Sequence, residues 1–183
     1  WRMPILYSLL FIVIIFGAIA ICYAYQFNKL MHSKTKIDHA EMSIDEALRN
    51  RYDLLLKADN IIKTELKSDK TFFKGLDKVK EEEISNFDLE RKLAEHMNTL
   101  EQIRLDNDKL SSNKEFKELL NECKTNSEKL QASKSYYNKY TSELNDLVRT
   151  FPSNLVARMH RIDIKPFFDG KNMEDDIVND FKF

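Results

Sequence analysis

The sequence predicts an all-α chain: a single transmembrane helix continuing into an antiparallel bundle of long helices, four-helix-bundle-like with up-down topology. Three observations predict it. An uncharged apolar stretch fills Pro4 to Tyr25. Beyond it, apolar residues recur at steps of three, four and seven, which keeps one face of a helix apolar. Glycine and proline number only three each among 183 residues, too few for a turn-rich β architecture or a glycine-cradled nucleotide site.

The span comes first. Its 22 residues rise about 33 Å as a helix, roughly one hydrocarbon core. A helix is the one single-segment backbone whose hydrogen bonds are satisfied there. Tyr7, Tyr23 and Tyr25 sit near its ends, where amphipathic rings prefer to lie. A cleaved signal peptide is the rival reading, with Ala18-Ile19-Ala20 as a possible cleavage site. Against it, the stretch exceeds the usual ~7–15-residue apolar region and its basic leader is a single arginine. Trp1 and Arg2 precede Met3, so either Met3 is the native start or the sequence is a fragment.

Only Arg2 lies before the span, whereas Lys29, Lys34 and Lys36 follow it before the first acid, Asp38. Lys and Arg accumulate on the cytoplasmic side. The expected topology is an external N-terminus and a cytoplasmic domain at the cell (inner) membrane. The same three lysines are candidate contacts for anionic lipid, besides being topology determinants.

The soluble part divides into three apolar stripes. The first is Leu30, Ile37, Ile44, Leu48, Leu55, Ala58, Ile62 and Leu66. Nothing interrupts it, so the span is expected to run on as one helix. Ser68 to Thr71 reads as a turn. The second stripe is Phe73, Leu76, Val79, Ile84, Phe87, Leu93, Met97, Leu100 and Ile103. Leu110 to Asn113 reads as the next turn, with Ser112 or Asn113 as the cap of the third long helix and Glu115 in capping-box spacing from Ser112. The third stripe runs Phe116, Leu119, Leu120, Cys123, Leu130, Tyr137, Tyr140, Leu144, Leu147, Val148 and Phe151. Pro152 ends it. Three helices of roughly 35 to 40 residues with short turns pack antiparallel. A short helix through Leu155, Val156 and Ala157 and an irregular aromatic segment from Ile164 to Gly170 close the domain. The expected divisions are 4–25 for the anchor, 26–170 for the bundle and 171–183 for an acidic, frayed tail. An extended coiled coil pairing between chains is the alternative fold, disfavoured by interrupted heptads.

The stretch Arg149-Thr150-Phe151-Pro152-Ser153-Asn154-Leu155-Val156-Ala157 resembles the C-terminal signature of the LemA family of bacterial membrane proteins. That family shows a Tyr-Asn repeat at seven-residue spacing, then Phe-Pro-Ser-Asn-Leu-Val-Ala, then a Lys-Pro-aromatic-Phe-acid element. Here Tyr137-Asn138 matches the first repeat, and Leu144-Asn145 stands where the second would be, without its aromatic. Lys165-Pro166-Phe167-Phe168-Asp169 matches the last element. Upstream, Arg49-Asn50-Arg51-Tyr52-Asp53-Leu54 is similar to a basic-aromatic-acid-Leu motif, but Leu56-Lys57 replaces the Pro-Asn that comes after it in the family. That departure leaves the local geometry of the first helix, such as a kink, open. Residues 64 to 108 carry no family motif. The resemblance implies one N-terminal membrane helix, an external N-terminus, a helical-bundle domain and no established enzymatic activity.

Familiar chemistry is missing from the sequence. The residues three before His32, His39, His96 and His160 are Lys29, Lys36, Leu93 and Ala157, so no Glu-x-x-His pair of a helical di-metal site exists. There is no His-Glu-x-x-His and no close cysteine pair. Glycines at 17, 75 and 170 alone leave no phosphate loop and no nucleophile elbow. Cys22 and Cys123 read as free thiols. Glu81-Glu82-Glu83 reads as a solvated helix face. With 29 basic against 30 acidic residues, no nucleic-acid footprint is present. No catalytic residue, cofactor or metal is therefore expected, and the chain is read as a non-enzyme.

The remaining residues of interest are interaction and motif candidates: Arg51, Tyr52, Asp53, Tyr137, Asn138, Phe151, Pro152, Asn154, Lys165, Pro166 and Phe167. Arg49, Arg51 and Asp53 form an interaction patch or merely pair on a helix surface. Tyr136, Tyr137 and Tyr140 are a binding stripe or core aromatics with wet hydroxyls. Phe151 to Asn154 end one helix and cap the next, or form a docking corner with Phe167 and Phe168. The expected role is a membrane-anchored interaction or scaffold protein of the bacterial cell envelope with an unidentified protein partner. The alternatives are a regulatory subunit of a membrane-associated enzyme or signalling system, and a self-assembling homo-oligomer.

Overall fold

The computed structural model of the chain describes residues 2–79 and 84–168. The expected glutamate face at 81–83, Asp169 and Gly170 of the closing segment, and the acidic tail at 171–183 lie outside the described residues. Every regular element among the described residues is a helix, as the apolar periodicity requires: α1 (Arg2–Leu66), α2 (Leu76–Val79), α3 (Asn86–Asp106), α4 (Asp108–Ser112), α5 (Lys114–Arg149) and α6 (Ser153–Met159).

The expected continuity of span and domain is present, since α1 is one uninterrupted helix of 65 residues. Its first part is apolar enough to cross a membrane, with a mean hydropathy of 2.9, and every side chain from Met3 to Cys22 is exposed. From Leu30 onward the first stripe is buried at each expected position through Ile62. Lys67 ends α1 in the left-handed region at φ 47°, and the Ser68 amide donates to the Lys63 carbonyl at 3.1 Å. That bond satisfies one of the orphan carbonyls of the last turn.

The chain forms two compact units. Among the described residues one takes in the chain to Asp38 with Tyr137–Phe167, and the other His39–Tyr136 with Phe168. In the second unit the register is legible from side-chain pairs. Glu46 meets Lys129, Ala47 meets Asn126, Lys57 meets Glu122 and Glu65 meets Asn113. Numbers rise on α1 as they fall on α5, so these two helices are antiparallel. Glu90 of α3 pairs with Lys134, while Leu100 and Glu101 border a hollow with Leu120 and Cys123. Thus α3 also opposes α5 and runs parallel to α1.

This corrects the expectation of one long second helix. Its first half is a return leg: the Phe72 amide donates to Asp59 Oδ1 at 3.0 Å, and Val79 and Ile84 reach the level of Leu48 and Tyr52. Only then does α3 begin. The physical reason is local. Gly75 sits at φ +84°, a conformation that stops a helix. Ser85 caps α3, accepting from the Asp88 amide at 3.1 Å and donating to Asp88 Oδ2 at 2.9 Å. Among the described residues between α1 and α3, α2 is the one helical turn. Phe73, Leu76 and Val79 of the return leg still bury their side chains.

Three smaller expectations are refined. Asn113, not Ser112, caps α5, accepting from the Phe116 amide at 2.9 Å. The stretch read as a turn before it, Leu110 to Asn113, overlaps the end of α4. At the other end α5 stops at Arg149 as Pro152 demands, but Phe151 is 74% exposed and does not join the third stripe.

The first unit is built on Leu30 and Ile37 of α1, Tyr137, Leu144 and Leu147 of α5, and Val156 and Ala157 of α6, all buried. The Phe151–Pro152 peptide is cis. Residues 151–154 were expected to cap the short helix. Instead the Ser153 hydroxyl donates back to the Thr150 carbonyl at 2.8 Å, sealing the end of α5, and α6 starts without a side-chain cap.

Candidate interaction sites

The upstream motif Arg49 to Leu54 lies on α1 in the second unit, and its members part company. Arg49 is a surface residue paired with Asp45 at 2.9 Å, the arrangement that helical spacing favours. Arg51 is buried, only 6% exposed. Its Nε donates to Asn126 Oδ1 at 3.2 Å and its Nη2 to Ser127 Oγ at 3.0 Å. Asn126 in turn donates to the Ala47 carbonyl at 2.8 Å. One guanidinium and one amide thus tie α1 to α5 across the core. Burial pulls the Arg51 pKa below its ordinary value, while the carboxylate of Glu90 acts against that fall.

Cys123 lies one turn before this tie. Burial pushes its thiol up to about 11 despite the nearby arginine, so at neutral pH it is a neutral thiol rather than a nucleophile.

Tyr52 and Asp53 point elsewhere. With Asp45, Leu48 and Arg49 they form one wall of a groove of about 500 Å³, whose other wall is Val79, Ile84, Asn86 and Leu89. Of its lining, the apolar Leu48 and Val79 are buried and the charged Arg49 and Asp53 are exposed. The return leg makes this groove, because α3 begins beside α1 only after residues 67–79 have run back along it.

The downstream motifs meet in the first unit. Asn145 clamps the backbone of Lys165 in both directions: its Nδ2 donates to the Lys165 carbonyl and its Oδ1 accepts the Lys165 amide, each at 2.8 Å. The Tyr137 hydroxyl donates to the Pro166 carbonyl at 3.1 Å, and Lys165 Nζ lies 3.8 Å from Asp38. The irregular segment is in this way strapped onto α5 and α1. Tyr137 and Asn145 serve as holders of backbone, which favours the core-aromatic reading of Tyr137. Asn138, Pro152, Asn154 and Phe167 are half-buried and Pro166 is exposed. Thr141 Oγ1 and Asn154 Oδ1 are buried without a hydrogen-bond partner among the described residues. In the second unit Phe168 is buried, edge-on to Phe87 with ring centres 6.1 Å apart and with Lys134 Nζ 5.3 Å from its ring centre.

Sequence reasoning missed Asn126, Ser127 and His160. Asn126 had a readable signal, since it falls on the apolar stripe of α5 between Cys123 and Leu130, and a polar residue on such a stripe is one that needs a buried partner. His160 had none: Nε2 lies 2.6 Å from the Tyr23 hydroxyl and its ring 4.6 Å from that of Phe27, a contact across 137 residues. No group of three or more His, Cys, Asp or Glu able to hold a metal ion occurs among the described residues.

Against known families, the model of the LemA family matches residues 40–183. No curated protein and no solved structure matches the chain.

Proposed function

This chain belongs to the LemA family, and from that membership we propose that it is a membrane-anchored interaction protein of the bacterial cell envelope whose partner docks in the groove between α1 and the start of α3. It is a membrane-associated helical protein with one apolar helix near its N-terminus. The observation that carries the docking reading is the groove itself. Leu48, Val79, Ile84 and Leu89 line it with apolar surface, and the charged Arg49 and Asp53 stand exposed at it. That is the layout of an interface with a hydrophobic centre and a polar edge. An amphipathic protein segment with apolar residues on one face fits it.

The proposed topology is an external N-terminus with the domain in the cytoplasm, supported by Lys29, Lys34 and Lys36 after the span against Arg2 before it. Lys29 and Lys34 are exposed, and all three lysines are proposed contacts for anionic lipid of the inner leaflet.

The test is site-specific photocrosslinking in native membranes, with the crosslinker at Tyr52 or Asp53 and at the exposed Glu128 as a control. A discrete, reproducible adduct from the groove positions and none from the control is expected. Adducts absent from the groove, or equally frequent at Glu128, would remove the groove as a docking site.

A further inference from the structure

We propose that α6 and the corner before it form a second membrane contact, an interfacial patch that lies on the lipid surface where α1 leaves the bilayer. The proposal rests on the reading of residues 4–25 as the anchor. Every side chain of α1 from Met3 to Cys22 is exposed, and protein first covers it at Tyr23. Tyr23 is met by His160, at the end of α6, which also packs on Phe27 one turn further on. The end of α6 is thereby fixed at the boundary between span and domain, the depth at which Tyr side chains anchor.

At that boundary the segment presents the features of an interfacial helix. Phe151, Leu155 and Met159, spaced by four, are 74%, 51% and 71% exposed. Water is a poor solvent for three such side chains in a row. Val156 and Ala157, on the opposite side, are buried, so α6 is held from within while its apolar edge faces outward. Between Arg149 and Ile164 stand Arg149, Arg158 and Arg161 against one carboxylate, Asp163. Arg158 and Arg161 are exposed. An apolar edge flanked by arginines is the chemistry of an acyl-chain boundary capped by anionic headgroups. His160 also brings the end of α6 against Tyr23, next to the exposed apolar surface of the anchor, which favours a bilayer over a protein as the occupant of the patch.

The test uses the full chain reconstituted in vesicles, in a Cys22→Ser, Cys123→Ala background. Single cysteines at Phe151, Met159, Glu143 and Ile14 carry an environment-sensitive fluorophore. Nitroxide-labelled lipid is expected to quench, and the bilayer to blue-shift, the probes at Phe151 and Met159, while the one at Glu143 on α5 is unchanged. In vesicles rich in phosphatidylglycerol the partition toward lipid should exceed that in phosphatidylcholine, and Arg158→Gln or Arg161→Gln should each cut that excess about five-fold. Probes at Phe151 and Met159 as water-exposed as the one at Glu143 would overturn the proposal. So would a blue shift without quenching by lipid, which would mean that a second copy or another protein covers the patch. Ile14 separates the two failures: if its probe is lipid-quenched and those of the patch are not, the anchor stands and only the patch falls; if Ile14 also escapes, both fall.

Discussion

Arg51 illustrates how a single side chain can be read at the wrong depth. On the sequence it stands between Asn50 and Tyr52 in a charged cluster, and a charged residue is almost never buried without partners. Its partners, Asn126 and Ser127, lie 75 and 76 residues away, beyond the reach of local spacing. The tie is directional, which makes its loss measurable. Arg51→Met removes the donors for Asn126 Oδ1 and Ser127 Oγ, and should destabilise the second unit by about 2 kcal/mol, as for hydrogen bonds from a charged group. Arg51→Lys should recover little of it, because an ammonium cannot reproduce the two-armed geometry. Thermal unfolding in detergent, followed by circular dichroism, reads both; an unchanged midpoint for Arg51→Met would refute the tie. The neighbouring thiol supplies a pH test. Cys123 has a folded pKa of about 11 against an ordinary value of 9.0. A raised folded pKa means that the stabilising contribution is complete below the unfolded value and is lost as pH rises toward the folded one. Stability should therefore fall between pH 9 and about 11, and part of that fall should be missing in Cys123→Ala. An identical pH profile in the variant would contradict the assignment.

The helices that were foreseen have long unbroken stripes, and those that were misjudged have local stop signals outweighed by the apolar pattern. α1 and α5 were both readable, since neither contains a glycine or proline after Gly17. The second stripe kept its apolar spacing while the backbone beneath it turned back, so burial at Phe73, Leu76 and Val79 was foreseen and direction was not. The signal was present: Ser85 with Asp88 three residues on is a capping pair, and it marks where α3 starts. Ser85→Ala should cost about 1 kcal/mol by leaving the Asp88 amide without its acceptor. Gly75→Ala should cost a similar ~1 kcal/mol through φ alone, because nothing lies within 4 Å of the added methyl. Chemical denaturation of each variant gives the comparison, and a stabilised Gly75→Ala would show that the positive φ is not required. Phe151 failed for a related reason. Its spacing fits the stripe of α5, but α5 ends at Arg149, and a residue past the end no longer keeps to the helical face.

At the scale of the whole chain, the most legible features were the ones with the largest free energies behind them. An uncharged stretch from Pro4 to Tyr25 has few stable places outside a membrane, and the stripe from Leu30 to Ile62 must be covered by something. The fold class and the continuous α1 came from such terms, and the family from the Phe-Pro-Ser-Asn-Leu-Val-Ala stretch. The site was less legible. Tyr52 and Asp53 were picked out by motif, but the groove they line exists only because the return leg places Val79 and Ile84 beside α1, and no family motif lies between residues 64 and 108. Which side of the membrane holds the domain rests on three lysines against one arginine, a small electrostatic bias. The most direct test of the anchored, inward-facing domain is thiol accessibility in intact cells: a Cys22→Ser, Cys123→Ala chain carrying Ser112→Cys, at an exposed position, treated with a membrane-impermeant reagent. Protection until the cells are lysed is the expected result and fits an anchored chain with its domain in the cytoplasm. Labelling of intact cells would contradict it and place the domain outside, as an inverted anchor or a cleaved signal peptide would.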